Sequence, residues 1–304
     1  MSTNQLNKVA IFGASGNFGT PITAALTKAG FNVTIITRQE SASTFPEGLP
    51  VVRTPYTLDA LTEVLAGQDA VVCVVGPPGI DLQSTMVDAA QAAGVKRFIL
   101  DDFGWGPEFT SYPEFEPFRA KRVAGVDRAK EHVSANRAFS WTAIASGNPI
   151  DWALKRFPPM GFDVKNRSAI IYDSGKEYFT GTTLQGIGQS VVGVLQHPDE
   201  TANRHVAVIS IKVCQNELLE AFQSGTGSEW DVQRSTTGEL IDGARKKKEN
   251  GVGGWILDLA IAQLYEDGKS RCLVAPTREE SDSGLLEIPE ETPQSLVASI
   301  LASI

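Results

Sequence analysis

The sequence is poor in the residues that build disulfide frameworks and metal centres. Only three cysteines and three histidines occur among 304 residues, and they are scattered along the chain. No Cys-x-x-Cys pair is present, and the histidines lack the spacing of metal ligands, so we predict neither a metal site nor a disulfide framework. Each histidine is expected to have a structural or surface role. These residues are Cys73, Cys214, Cys272, His132, His197 and His205.

Long apolar runs and an excess of positive charge are also missing. The longest apolar runs fall well short of a membrane span, and the first residues, M-S-T-N-Q-L-N-K, contain no apolar signal core. The formal net charge of −9 argues against a surface that binds nucleic acid. We therefore predict a cytoplasmic protein of one or two folded domains, with no membrane partner and no nucleic-acid partner.

The first residues after the amino terminus have the pattern of a strand, a glycine turn and a helix. Residues 9–12 are apolar, glycines follow in the spacing G-x-x-G-x-x-G, and an amphipathic run ends at Gly30. A helix begins with unpaired N–H groups and a partial positive charge, so this turn predicts a site for the pyrophosphate of a dinucleotide. A valine at Gly13 or Gly16 should abolish cofactor binding and leave the fold largely intact. The predicted cofactor contacts here are Gly13, Ser15, Gly16, Asn17 and Phe18.

The end of the second predicted strand indicates which dinucleotide is bound. Residues 31–37 read F-N-V-T-I-I-T and are followed by Arg38, with no acidic residue before Glu40. In a Rossmann unit an acid at this point binds the ribose of NAD, whereas an arginine pairs with the 2′-phosphate of NADP. The sequence therefore favours NADPH, the alternative being that Arg38 is an ordinary solvated residue at a strand end.

Strands and helices alternate through the first half of the chain. Because alternation of this kind builds parallel sheets, we predict an α/β fold with a Rossmann-type doubly wound parallel sheet. Thr57 and Asp81 are the expected N-caps of the second and third helices. The later predicted strands are 51–52, 70–75, 96–100 and 139–145, and the helices are 58–66, 82–93 and 119–133.

The alternation of strands and helices becomes less regular beyond Asn148, where prolines and glycines interrupt it. We predict an NADP(H)-binding Rossmann domain over residues 1–155 and a smaller substrate-side subdomain over residues 156–304. Part of the second half, about residues 205–211, is expected to return to the sheet as a strand. Helices are predicted at 184–195, 217–222, 240–248, 256–265 and 294–301.

One stretch resembles the signature of a known family. Residues 94–106 read G-V-K-R-F-I-L-D-D-F-G-W-G. This is similar to the G-V-K-R-F-x-P-S-E-F-G signature of the isoflavone-reductase-like and NmrA-like proteins, which are atypical short-chain dehydrogenases/reductases. G-A-S-G-N-F-G, T-R, V-G-P-P-G and residues 139–149 support the resemblance. It covers about residues 8–155 and is strongest to the fungal isoflavone-reductase-like proteins.

The resemblance implies which residues act on the cofactor. Lys121 is the counterpart of the family's lysine, whereas Pro117 stands where ordinary short-chain dehydrogenases have a tyrosine. A lysine here can hold the nicotinamide ribose, or act as acid or base if it is desolvated. The alternative is that Lys121 is one of several basic residues on an exposed helix. The further cofactor contacts implied are Gly76, Pro77, Phe103, Lys121, Asn148 and Pro149.

The same resemblance places a substrate beside the fifth strand. Asp101 and Asp102 replace the family's Ser-Glu pair. Asp102 is a candidate catalytic residue for a proton relay, or else a loop carboxylate that caps nearby N–H groups. Aromatic residues could wall a pocket for a flat ligand, or simply pack a proline-rich loop. The candidate substrate contacts are Phe103, Trp105, Trp152 and Tyr178.

Two functions are compatible with these residues. The first is an NADPH-dependent reductase of a small aromatic, phenolic or polyketide-like secondary metabolite. The second is an NmrA-like regulator that senses the dinucleotide without catalysis. Retention of Lys121 favours the enzyme, whereas the absence of the tyrosine is compatible with the regulator. The predicted partner is a small-molecule substrate, and a homodimer is the candidate assembly.

Overall fold

A computed structural model describes residues 6–76, 79–156 and 160–303 of the chain. The strands are β1 (Lys8–Phe12), β2 (Asn32–Arg38), β3 (Val51–Thr54), β4 (Ala70–Cys73), β5 (Arg97–Ile99), β6 (Ser140–Ala145), β7 (Phe162–Asp163), β8 (Ser168–Tyr172), β9 (Phe179–Gly181), β10 (Arg204–Ala207), β11 (Ile211–Val213) and β12 (Asp231–Ser235). The helices are α1 (Gly19–Lys28), α2 (Leu58–Leu65), α3 (Gln83–Ala92), α4 (Glu116–Ala135), α5 (Ile150–Arg156), α6 (Leu184–Gln196), α7 (Gln215–Thr226), α8 (Thr237–Glu249), α9 (Trp255–Tyr265) and α10 (Pro293–Ala302).

Seven parallel strands form the central sheet in the order β10-β6-β5-β4-β1-β2-β3. Val9 of β1 lies opposite Val33 of β2 on one side and opposite Ala70 of β4 on the other. The strand order reverses between β1 and β4, which leaves a crevice at the carboxyl ends of these strands, where such sheets bind ligands. The predicted doubly wound parallel sheet is confirmed.

Helices cover both faces of this sheet. Val9 and Ile11 belong to a core shared with α1 and α6, whereas Ala10 and Phe12 belong to a core shared with α2, α3 and α4. Successive strand residues point to opposite faces, so both faces of β1 are buried. Burial on both sides is the reason for the continuous apolar runs in the sequence.

A second core lies beyond the sheet. It is built by α5, α7, α9 and α10 together with a three-stranded sheet in the order β12-β8-β7. The division of the chain at residue 155 stays a prediction, but α6 packs on the central sheet and β10 extends it beside β6. The strand predicted at about 205–211 is divided between two sheets. β10 joins the central sheet beside β6, whereas β11 pairs with β9.

Local departures from the predicted elements have simple causes. α4 begins at Glu116 rather than at Arg119, because Pro117 falls in the first turn, where a proline needs no hydrogen-bond partner for its nitrogen. The prediction that Asp81 caps the third helix is wrong. Its carboxylate instead accepts a hydrogen bond from the Nζ of Lys121 at 2.9 Å.

The second half contains short strands that the sequence did not predict. β7, β8, β9, β11 and β12 are two to five residues long, which leaves too few positions for a period to be recognised, and β12 is also mostly exposed. All five helices predicted there are present as α6 to α10. Among the helices of the described residues, none is both long and apolar enough to cross a bilayer.

Candidate active site

The loop between β1 and α1, residues 13–19, forms a tight turn that we call the cofactor turn. Gly13 has a φ of +84°, and a Cβ atom there would lie 2.2 Å from the carbonyl oxygen of Val74 in the neighbouring chain segment. The N–H of Gly16 donates to Gly13 O at 2.9 Å, and α1 starts at Gly19 without an acidic residue in its first turn. This backbone cradle fits a pyrophosphate. The expectation that Gly13→Val would spare the fold is wrong, because the new side chain would strike backbone.

A second loop lies beside the cofactor turn. Arg38 ends β2 with 62% of its side chain exposed, and its Nε lies 3.6 Å from an exposed carboxylate of Glu40. The Oγ of Ser15 donates to the Oγ of Ser43 at 3.2 Å, which joins the turn to the loop after β2. Arg53 of β3 holds this loop, donating to Ser43 O at 3.3 Å. Arg53 could not be predicted as part of this site from the sequence, since only the pairing of β2 with β3 brings it here.

A cavity of about 650 Å³ opens at the carboxyl edge of the central sheet, and we call it the substrate cavity. Its walls come from the loops after β5 and β6 and from α4 and α9. The structure thus brings together many of the predicted site residues from separate parts of the chain. Those that line the cavity are Phe18, Gly76, Asp102, Phe103, Trp105, Asn148, Pro149 and Trp152. Pro77 lies outside the described residues.

The cofactor contacts predicted at Gly13, Ser15, Gly16, Asn17 and Arg38 lie outside this cavity, and so do the predicted catalytic lysine and one predicted substrate contact. The ammonium of Lys121 pairs with Asp81, and the neighbouring Arg122 is the residue of α4 that lines the cavity. Tyr178 is 42% exposed, and its hydroxyl donates to Glu217 Oε1 at 2.8 Å. Lys121 therefore lies beside the cavity, on a different face of α4, and Tyr178 lies on the surface of the second core.

The walls of the substrate cavity are largely aromatic and aliphatic. Phe18 and Phe103 meet edge to face with ring centroids 6.1 Å apart, and Trp105 stacks on Phe109 at 5.6 Å. Phe118 on α4 also lines the cavity, although 39% of the residue is exposed to solvent. Exposed apolar side chains that gather around a cavity commonly mark a ligand site.

The loop that carries the aromatic wall is fastened to α8 and α9. The hydroxyl of Tyr112 donates to Glu266 Oε2 at 2.9 Å, and burial together with this bond raises the pKa of Tyr112. From α8, Arg245 Nε donates to Glu114 Oε1 of this loop at 2.9 Å. The wall is therefore held by contacts between residues far apart in sequence.

An amide in the substrate cavity has an unused acceptor. Asn148 is 8% exposed, and its Oδ1 atom has no hydrogen-bond partner among residues 6–76, 79–156 and 160–303. Leaving a buried acceptor unsatisfied costs about 1–3 kcal/mol, and a donor on a bound ligand would recover this. The carboxamide of a nicotinamide offers such a donor, so Asn148 fits the predicted cofactor.

Asp101 fixes the loop after β4. Its carboxylate accepts the N–H of Gly76 at 2.7 Å, while its own N–H donates to Gln83 Oε1 at 2.6 Å. Burial raises the pKa of Asp101 to about 6, against the opposing effects of Arg122 and the Gly76 N–H. The buried carboxyl thus positions a glycine at the edge of the substrate cavity.

Asp102 faces two positively ionisable side chains. Its Oδ1 lies 3.9 Å from an amino group of Arg122, and its Oδ2 lies 3.5 Å from the Nε2 of His205. His205, on β10, lines the cavity and meets the ring of Trp141 edge to face at 5.4 Å. From the sequence, His205 is expected to have only a structural or surface role, because the β10–β6 pairing that brings it to Asp102 spans about sixty residues of chain.

Comparisons with known proteins agree with this geometry. Residues 13–161 match the family model described as NAD(P)H-binding. Over 288 residues the chain is 62% identical to "Oxidoreductase poxI" of Penicillium oxalicum, covering 95% of this chain and 92% of that protein.

Solved structures share the fold over nearly their whole length. The chain is similar to the binary complex of leucoanthocyanidin reductase and NADPH from Vitis vinifera, with a TM-score of 0.79 at 18% identity, covering 97% of this chain and 99% of that one. It is also similar to isoflavone reductase, with a TM-score of 0.77 at 16% identity and coverages of 98% and 99%. The match to the fungal oxidoreductase, the NAD(P)H-binding model and this shared fold lead to one assignment. The chain belongs to the same family as this fungal oxidoreductase, contains an NAD(P)H-binding domain and shares the fold of isoflavone reductase.

Proposed function

We propose that the protein uses NADPH to reduce a small aromatic, phenolic or polyketide-like metabolite. The observation that carries this proposal is the substrate cavity, whose apolar wall includes the stacked pair Trp105 and Phe109. Flat aromatic ligands bind well between such rings, and a few polar groups then fix their orientation. Asn148 and Asp102 supply polar groups in this cavity.

The cofactor turn and the loop after β2 would hold NADPH. When bound, NADPH supplies a hydride to an electron-poor carbon of the substrate. The exposed guanidinium of Arg38 would pair with the 2′-phosphate, which supports NADPH over NADH. The other residues assigned to the cofactor are Gly13, Ser15, Gly16, Asn17, Phe18, Gly76, Pro77, Phe103, Lys121, Asn148 and Pro149.

Lys121 has a place beside this site rather than in its wall. Its Nζ donates to Asp81 at 2.9 Å, and Ile80 next to Asp81 lines the substrate cavity. A lysine so placed could exchange this carboxylate for the hydroxyls of the nicotinamide ribose. We therefore assign Lys121 to holding the cofactor. Assembly as a homodimer stays a prediction.

The proposal is tested by following NADPH oxidation against a panel of aromatic and polyketide carbonyls and enones. With a compound that is reduced, Trp105→Ala should raise KM about tenfold, since an aromatic contact of about 0.5–1.5 kcal/mol is lost together with apolar burial. Val123→Ala in the cavity wall should raise KM by a smaller factor. The matched control is Val252→Ala, because Val252 is 51% exposed and lies outside the cavity.

Two outcomes would contradict the proposed function. If the parent protein binds NADPH but reduces no compound in the panel, a dinucleotide-sensing regulator explains the site better. If Trp105→Ala and Val252→Ala have equal KM values, the substrate does not bind against the aromatic wall.

A further inference from the structure

We propose that His205, oriented by Asp102, is the general acid that gives the substrate its proton; this rests on the proposed function. The imidazole Nε2 lies 3.5 Å from Asp102 Oδ2. Hydrogen bonds between catalytic groups are often long before ligands bind, so this separation suits a pair that tightens in the complex. With Nε2 held by the carboxylate, the other ring nitrogen, Nδ1, is left to carry the proton that is transferred.

His205 occupies the wall between two cavities. One is the substrate cavity, and the other, of about 490 Å³, lies along the loop of residues 105–110. This outer cavity is lined by charged side chains such as Lys269 and Arg271. A histidine lining both cavities can take a proton from water on the polar side and pass it to a substrate on the apolar side.

The backbone that carries His205 is rigidly held. The guanidinium of Arg204 makes two hydrogen bonds to the carboxylate of Asp282, at 2.7 and 3.1 Å. The same carboxylate accepts the N–H of Ala207 at 2.8 Å, so both ends of β10 are fixed. Packing of the imidazole against Trp141 then restricts the ring itself. A general acid needs this positional restraint.

Charged side chains from several elements line the two cavities that His205 touches. The loop after β5 brings Asp101 and Asp102, and the outer cavity brings charges of both signs. Those on α4 are Arg119, Arg122, Asp127 and Lys130. In the outer cavity these groups are Glu108, Lys269, Arg271 and Asp282. Among these groups, the carboxylate of Asp102 lies 3.5 Å from the Nε2 of His205.

The proton balances a two-electron reduction. The substrate carbon gains a hydride as NADPH becomes NADP⁺, and the electron pair of the polarised double bond moves onto the substrate oxygen. The N–H bond of the His205 imidazolium breaks as an O–H bond forms on that oxygen. The neutral imidazole then regains a proton from bulk solvent through the outer cavity, so the net reaction takes up one H⁺ for each NADPH oxidised.

Lys121 is the rival proton donor. Its ammonium is paired with Asp81 at 2.9 Å, and its side chain does not line the substrate cavity. His205 lines that cavity, so the geometry favours the imidazole.

The test compares two aspartate–histidine pairs in one molecule. His205→Gln should lower kcat about 100-fold or more and remove the fall in rate at high pH that comes from losing the imidazolium. The affinity for NADPH, measured by calorimetry, should stay within about twofold. His132→Gln is the matched control, because His132 lies 2.6 Å from Asp88 Oδ1 and lines neither cavity. It should leave kcat and the pH profile unchanged.

A readout without turnover tests the pairing itself. In ¹⁵N-histidine NMR spectra of the protein alone, Asp102→Asn should shift the ring resonances of His205 and leave those of His132 in place. Asp88→Asn should do the reverse. If Asp102→Asn leaves the His205 resonances unchanged, the proposed orientation is wrong.

Failure of the proton donor and failure of the function are distinguishable. If the parent reduces a compound and folded His205→Gln does so at the parent rate with the parent pH profile, His205 is not the acid and the reductase stands. If the parent reduces nothing in the panel, the reductase fails and the proton donor with it. Should His205→Gln not fold, Asp102→Asn takes its place, and a parent-like kcat and pH profile would overturn the proposal.

Discussion

The two ends of the proposed active site are assembled in different ways. The cofactor end comes from one short stretch, residues 13–19, together with Arg38 at the end of the next strand. The substrate end gathers walls from distant parts of the chain, which are held together by contacts such as Tyr112 to Glu266. A site made from adjacent residues is fixed by local backbone geometry, whereas a site made from distant ones depends on tertiary packing. The principal wall segments are 101–107, 119–130, 147–153 and 256–264.

The largest predicted effect comes from a substitution in the cofactor turn. Gly13→Val should prevent folding, because a Cβ there would lie 2.2 Å from Val74 O and the residue has a φ of +84°. The measurement is soluble yield and a thermal melt.

Gly16→Ala is the matched control for this turn. Its φ is not in the left-handed region, and its Cβ would lie 3.2 Å from Gly13 O, so the fold should be kept while NADPH affinity falls. A folded Gly13→Val protein with a parent-like melting temperature would contradict this steric constraint on the turn.

The second prediction concerns Asp101 at the edge of the substrate cavity. Burial raises its pKa from 3.8 to about 6, so the folded state holds a proton that the unfolded state has released between these values. Stability is therefore highest for this group below about pH 4 and falls as pH rises through about 6, by about 3 kcal/mol at most. Asp101→Asn lacks this titration. Relative to the parent, its free energy of unfolding should increase by up to that amount between about pH 4 and pH 7.

Asp88 provides a control of opposite sign. Burial acts against its ionisation, but hydrogen bonds from Arg128 and His132 prevail and lower the pKa of Asp88. Its contribution to stability is present above the ordinary carboxyl pKa and is lost as pH falls through the lowered value. Urea unfolding extended below about pH 4 should show the two effects in separate ranges. The destabilisation caused by Asp88→Asn should shrink as pH falls below the ordinary carboxyl pKa, whereas Asp101→Asn should gain stability relative to the parent between about pH 4 and pH 7. The reverse pH dependence of either variant would contradict the assignment of that carboxyl.

The backbone elements at the proposed cofactor end could be predicted from the sequence more completely than the walls of the substrate cavity. Strand, turn, helix and Arg38 are successive features with known periodicities, and the central sheet follows from their alternation. Arg53 and His205 could not be predicted, because strand pairing places them beside Ser43 and Asp102. Lys121 illustrates a different limit.

That limit is the face of a helix. A shift of one residue on α4 turns a side chain by about 100°, so a motif alone does not decide whether position 121 or 122 meets the cavity. The structure puts Arg122 in the wall and Lys121 beside Asp81. The five short strands of the second half escaped prediction for a related reason, since segments of two to five residues carry too few positions for a period.

The third prediction sharpens the description of the cofactor end. Arg38→Ala should weaken NADPH binding about 10- to 100-fold, since a charge-assisted contact to the 2′-phosphate is worth about 1.5–3 kcal/mol. NADH lacks that phosphate, so its affinity should not change. Calorimetric titration of both cofactors measures this. Equal affinities of the parent for NADPH and NADH would show that Arg38 does not meet the phosphate.

The smallest predicted effect comes from the neighbour of Arg38. The carboxylate of Glu40 lies 3.6 Å from Arg38 Nε, and both side chains are more than half exposed. An exposed pair of this kind is worth about 0.2–1 kcal/mol, so Glu40→Gln should strengthen NADPH binding by less than about fivefold. The gain should shrink at high salt. Weaker NADPH binding in Glu40→Gln would mean that Glu40 supports the site rather than competing with the phosphate.

The central claim is that both ends serve one reaction, with the cofactor turn holding NADPH and the cavity holding the compound that is reduced. Transfer of deuterium from NADPH labelled at the reactive C4 position tests this most directly, with mass spectrometry of the product and parallel measurement of NADPH consumed. We expect one deuterium in each product molecule for each NADPH oxidised, and a lower rate of transfer at subsaturating substrate in Trp105→Ala. NADPH oxidation that leaves every compound of the aromatic panel unlabelled would contradict the account.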